Sequence, residues 1–100
     1  MKSKRTKACD ISKRVKDIVW SRDRHRCIRC GSIYAMPNAH YIPRSKGGLG
    51  IERNIVTLCM QCHHDYDNTS ERKNIGNFIE CYLKRHYIDW NKEDLIYRKE

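Results

Sequence analysis

Two Cys-x-x-Cys pairs, Cys27/Cys30 and Cys59/Cys62, bracket a short middle segment of the chain. Each pair places two sulfurs on one tight turn, and two such turns complete a tetrahedral sphere for a single zinc ion. Coordination of this kind contributes roughly 10–16 kcal/mol at neutral pH in zinc-finger peptides, so binding the metal and folding the chain become one event. One pair alone is a weak signal; two at this spacing are a strong one.

The need for such a clamp follows from size. One hundred residues make one domain, or a small domain with an appendage, whose modest core commonly needs a metal or disulfides. Six cysteines would allow three disulfides, but no apolar run follows the lysine-rich start, and the sequence shows neither a secretory leader nor a membrane span. A reducing cytoplasm is the expected compartment. Cys9 and Cys81 lie outside both pairs and are read as free thiols without a role.

Lys and Arg number 21 against 12 Asp and Glu, a formal net charge of +9. A compact domain so charged repels itself unless it meets a polyanion, and nucleic acid is the expected partner. A membrane surface is not expected, because no basic amphipathic stretch presents a continuous apolar face.

Residues 1–9 read as a basic, flexible arm able to lie along phosphates, and residues 10–100 as one domain with a core over 27–68 and a helical extension over 69–100. From an N-cap at Asp10 or Ser12, Ile11, Val15, Ile18 and Val19 recur at helical spacing to about Arg24. Lys13, Arg14, Lys16, Arg22 and Arg24 give that helix a basic outer side. Cys27 to Gly31 reads as a zinc knuckle, the glycine permitting its turn. Asn38–Ile42 and Asn54–Leu58 read as two short strands joined by the glycine-rich loop Arg44–Gly50. Cys62 to Asp67 reads as a helix. Asn68–Glu71 has the pattern of a capping box opening a last helix, with an apolar stripe of Ile75, Phe78, Ile79, Tyr82 and Leu83. The tail from Tyr87 is too mixed to assign.

The stretches His40-Tyr-Ile-Pro43-Arg-Ser-Lys-Gly-Gly48 and Asn54-Ile-Val-Thr-Leu-Cys59-Met-Gln-Cys62-His63 resemble the HNH endonucleases of the ββα-metal type, over about Val15 to Asn68. A histidine stands three residues before a proline, an asparagine fourteen after that histidine, and a second histidine nine further on. The resemblance implies an α+β fold: a small ββα-metal motif stapled by the four-cysteine zinc site and flanked by N- and C-terminal helices. It also implies a DNA phosphodiester hydrolase or nickase acting on double-stranded DNA. The flanking helices are similar to those of small phage and prophage proteins. That likeness implies a bacterial cytoplasm, a phage or prophage origin, and a phage terminase large subunit as a partner.

Hydrolysis of a phosphodiester needs a base that accepts a proton from water near neutral pH, and imidazole, with an unperturbed pKa of about 6.5, suits that task. His40 is the expected general base, and by the resemblance Asn54 aims its ring. His63 and Asp67, four apart, fall on one face of a helix, as donors to a shared metal must. An imidazole with a carboxylate and otherwise oxygen neighbours favours Mg²⁺ or Mn²⁺ at this second site. Arg44 and Lys46, beside the base, are expected to hold phosphates.

One position departs from the family pattern. The residue before the base is usually Asp or His and supplies a metal ligand, whereas here it is Ala39. Either the cation has only two protein ligands, with water and phosphate oxygens completing its sphere, or another side chain such as Asn38 reaches in. A shifted register would make His40 the ligand and Tyr41 the base, but a phenol of pKa about 10 is a poor base and the shift breaks the spacing to Pro43. The leading expectation is a metal-dependent endonuclease. The alternative is a zinc-stabilised DNA-binding module in which cleavage is lost or weak.

Overall fold

Ser12 decides where the first long helix starts. In the computed structural model, which describes residues 3–98, its Oγ accepts the Val15 N–H at 3.2 Å and helix α2 runs from Lys13 to Arg22. Ahead of it lies α1 (Lys4–Cys9), and behind it strands β1 (Ala35–His40) and β2 (Ile55–Cys59), then helices α3 (Met60–Asn68) and α4 (Arg72–His86). The strands form one two-stranded antiparallel sheet. The α+β class and the ββα order β1-β2-α3 are those expected from the sequence.

Every residue of β2 is buried, because the strand is covered on both faces. Val15 and Val19 of α2 pack on Ile55 on one side. On the other, Val56 and Leu58 join Ile75, Ile79 and Leu83 of α4, with Tyr66, Trp90, Leu95 and three of the clamp cysteines. Burying a side chain of this size contributes roughly 1.5–3 kcal/mol; Cys27, Cys59 and Cys62 belong to this core, while Cys30 is exposed.

Strand β1 carries a bulge. Met36 pairs with Leu58 and Ala39 with Val56, so Pro37 and Asn38 together face Thr57 alone. Proline has no N–H to give to the ladder, and an extra residue at that point relieves the mismatch. Ala39 is thereby turned into the core, fully buried, while Asn38 and His40 lie on the opposite side.

Several expectations are corrected here. The arm is helical from Lys4: Ser3 caps α1, Cys9 is buried, and the Arg5 guanidinium donates to the carbonyls of Arg44 and Ser45 at 3.3 and 3.1 Å. Met1 and Lys2 lie outside the described residues, as do Lys99 and Glu100. Arg22 is not on an outer basic face. Its side chain is 9% exposed and pairs with the buried Asp23 at 2.8 Å, donating also to the carbonyls of Glu52 and Ile55. Asp23 in turn accepts from the Thr57 N–H and the Tyr82 hydroxyl. A buried carboxylate needs such partners, and these tie α2, β2 and α4 together. The residues read as a capping box make no side-chain cap at Glu71; instead Thr69 donates to the Asp65 carbonyl and accepts from the Glu71 N–H. Phe78 is exposed. The unassigned tail adds a short 3-10 turn, Lys92–Leu95, and seals the core with Trp90 and Leu95.

The loop between the strands has its glycines for a steric reason. A Cβ on Gly48 would stand 1.7 Å from the Ile42 carbonyl oxygen and 2.6 Å from its carbon, both backbone atoms that have no room to move. Gly48→Ala is therefore expected to cost on the order of 3 kcal/mol or more, seen as a fall in the thermal midpoint of the zinc-loaded protein. An unchanged midpoint would contradict this close approach.

Candidate active site and metal centre

The first pair of sulfurs sits on a knuckle in which the Gly31 N–H meets the Cys27 carbonyl at 3.0 Å and Gly31 takes a φ of 79°. The second pair is placed by the junction of β2 and α3: Cys59 is the N-cap of α3, and its sulfur accepts the Cys62 N–H at 3.4 Å. All four sulfurs lie within 4.8 Å of one another, and those of Cys30 and Cys59 are 3.5 Å apart. A tetrahedron with metal–sulfur bonds of about 2.3 Å has edges of about 3.8 Å, so the cluster fits one zinc ion. Burial alone would raise the Cys27 thiol, but N–H bonds from the backbone of Cys30, Cys59 and Arg29 outweigh it and bring the thiol down to about 7. Cys62 moves the other way, to about 12, through burial and its neighbouring thiols, against the pull of Arg29. Crowding penalises each further ionisation, and a divalent cation is what allows all four to become thiolates.

A second, open site lies across the sheet end. A cleft of about 860 Å³ is lined by Asn38 and His40 of β1, His63 and Asp67 of α3, and Arg44 and Lys46 of the loop. His63 Nε2 is 3.1 Å from Asp67 Oδ2, the one-turn geometry expected from their spacing. Among the described residues, the only cluster of three or more Cys, His, Asp or Glu donors is the cysteine centre; the helix α3 pair offers two.

The His40 ring is aimed differently from the expectation. Its Nε2 lies 2.8 Å from the carbonyl oxygen of Cys9. A carbonyl only accepts, so Nε2 carries the proton and the neutral ring keeps its lone pair on Nδ1. Asn54 is fully buried and acts on the backbone instead: its Oδ1 accepts the Ile42 N–H at 2.8 Å, and its Nδ2 donates to the carbonyls of Ile42 and Leu49. It staples the chain just after the histidine to the glycine-rich loop. Burial is the largest influence on His40 and pushes its pKa below 6.5, as do the nearby charges of Arg44 and His63. The bond to Cys9 and the Asp67 carboxylate oppose that shift without reversing it.

Tyr41 does not suit the role of base. Its hydroxyl donates to Glu80 at 2.9 Å, and burial with that bond raises it to about 12. Ala39, in the core, contributes nothing to the cleft. Asn38 does line it, and its Oδ1 is buried with no hydrogen-bond partner among the described residues.

Of the two residues expected to hold phosphates, Lys46 is exposed on the cleft rim. Arg44 is partly engaged, with Asp10 at 2.7 Å and the Cys9 carbonyl at 3.0 Å. Two further cations, Lys16 and Arg72, line the cleft. Lys16 was legible only as one of several basic residues on α2, and Arg72 carried no signal. The Cys9 carbonyl had none either, since a backbone acceptor has no residue type. His64, His25 and His86 are exposed.

The profile of the HNH endonuclease family matches residues 27–69, the span that holds the four sulfurs, both strands and α3. The chain belongs to the HNH endonuclease family. It is also 33% identical over 55 residues to Anaredoxin of Nostoc sp. (strain PCC 7120), a match covering 54% of this chain and 72% of that relative. HNH domains are associated with nuclease action or metal-dependent DNA binding. Among the described residues no helix is long and apolar enough to cross a membrane.

Proposed function

We propose that this HNH protein is a metal-dependent endonuclease that hydrolyses phosphodiester bonds of double-stranded DNA. One observation carries the reading: the His40 ring, with Nε2 committed to a carbonyl and Nδ1 left as acceptor, shares a cleft with the His63–Asp67 pair. His40 Nδ1 takes a proton from a water molecule as that water's oxygen attacks phosphorus. The bond to one ester oxygen breaks, and that oxygen leaves with the electron pair and is protonated by solvent. His63 and Asp67, one imidazole nitrogen and one carboxylate on a single helix face, suit Mg²⁺ or Mn²⁺. Such a cation, when bound, offsets charge on the scissile phosphate and the leaving oxygen. Lys16, Lys46 and Arg72 hold the phosphates on either side, and Asn54 keeps the His40 turn in place.

The test is a supercoiled plasmid incubated with the zinc-loaded protein and Mg²⁺ or Mn²⁺, with and without chelator. Relaxed or linear product that depends on the added cation is expected. DNA binding without product under any divalent cation would favour the second reading, a zinc-stabilised binding module, for which the buried Ala39 speaks.

The pH dependence has a definite sign. Only neutral His40 accepts a proton, and its lowered pKa keeps it neutral at pH 7. The cleavage rate should therefore rise with pH along an acid limb centred below 6.5 and be flat through neutrality. A limb centred above that value, in rates measured from pH 5 to 8, would argue against burial as the controlling influence.

A further inference from the structure

Asn38 poses a problem that the endonuclease reading leaves open. Its Oδ1 is buried without a hydrogen-bond partner among the described residues, and a buried acceptor left in that state costs roughly 1–3 kcal/mol. The side chain is held there by the bulge, which sets Pro37 and Asn38 against the single residue Thr57. The same bulge sends Ala39 into the core and leaves Asn38 and His40 two apart on the cleft side. Asn38, which carries this buried oxygen, thus lines the same cleft as His63 and Asp67.

We infer that Asn38 is the third protein donor of the cleft, its Oδ1 completing with His63 and Asp67 the side-chain set for the divalent cation. The inference rests on the endonuclease reading of this cleft and adds a residue to it. An amide oxygen is a good ligand for a hard cation, which takes six or more donors, mostly oxygen. It also explains why a carboxylate-free residue at 39 is tolerated: the donor comes from the residue before it, carried to the cleft by the bulge. The set has a single formal negative charge, on Asp67. A bound Mg²⁺ or Mn²⁺ accordingly retains positive charge for the phosphate.

The experiment is a Mn²⁺ titration of the full-length, zinc-loaded protein at pH 7.5, with free Mn²⁺ read by electron paramagnetic resonance. The wild type is compared with Asn38→Ala, Asn38→Asp and His63→Ala. One Mn²⁺ per chain is expected for the wild type, with affinity about tenfold weaker in Asn38→Ala and tighter in Asn38→Asp, which adds a charge to the donor set. Zinc content and circular dichroism establish that each variant is folded, and Asn38→Asp, the same size as the original, decides if the alanine variant is not. Wild-type affinity in either Asn38 variant, with loss in His63→Ala, would overturn Asn38 as a donor while leaving the cleft site standing. No Mn²⁺ bound by the wild type, or binding indifferent to His63→Ala, would overturn both the inference and the reading beneath it.

Discussion

Stripping the metal from the four-cysteine centre is expected to unfold the domain rather than merely silence it. Three of the four ligands, Cys27, Cys59 and Cys62, are members of the main core cluster alongside Val56, Leu58, Ile75, Ile79 and Leu83. The two cysteine pairs approach from opposite ends of the segment that contains β1, the loop and β2. Coordination worth roughly 10–16 kcal/mol equals or exceeds the about 5–15 kcal/mol net stability of a typical domain, so no reserve covers its loss. Without the metal, buried sulfurs at these separations also resist joint ionisation, as the opposite shifts of Cys27 and Cys62 indicate. Cys59→Ser adds a second defect, since the Cys59 sulfur also caps α3. Circular dichroism and thermal melting of Cys59→Ser, and of wild type treated with a strong zinc chelator, should show loss of the cooperative transition. A variant that kept both its zinc and its melting transition would refute the claim.

The second large effect concerns chemistry alone. His40→Ala should lower the rate of plasmid cleavage by about 10²- to 10⁴-fold, the usual contribution of a positioned general base, while DNA affinity changes little. The His40 side chain is only partly buried, and among the described residues it bonds to the Cys9 carbonyl, which Arg44 also reaches. Removing the ring therefore does not orphan that acceptor, and the melting temperature should fall only modestly. Cleavage by His40→Ala at the wild-type rate would remove this residue from the mechanism, whatever the fate of the cation site.

Much of this was open to a reader of the sequence, for identifiable reasons. Metal-binding cysteines announce themselves because two sulfurs on a turn require a fixed spacing, and His63 with Asp67 because a helix repeats every 3.6 residues. Both groups lie where that arithmetic put them. Strand β1 is read two to three residues too late in the sequence, because a bulge at Pro37–Asn38 interrupts the alternation, and Pro37, which cannot donate to the ladder, is its mark in the sequence. Arg22 looked like its basic neighbours on α2, and only the tertiary position of Asp23 and the Glu52 and Ile55 carbonyls drew it inside. Charge counts do not separate an interior ion pair from a solvated one. The role of Asn54 was assigned to the wrong target: its amide grips the chain at Ile42 and Leu49, and the histidine ring is steered from elsewhere.

That last point bears on how portable the domain is. The acceptor that sets the tautomer of His40 belongs to Cys9, eighteen positions upstream of where the family match begins. A fragment trimmed to the matched span would retain every side chain a motif search values, yet the imidazole would be free to swivel. For this chain the minimal engine is longer than the recognisable one, and grafting the latter onto another scaffold means supplying a substitute for a single main-chain oxygen.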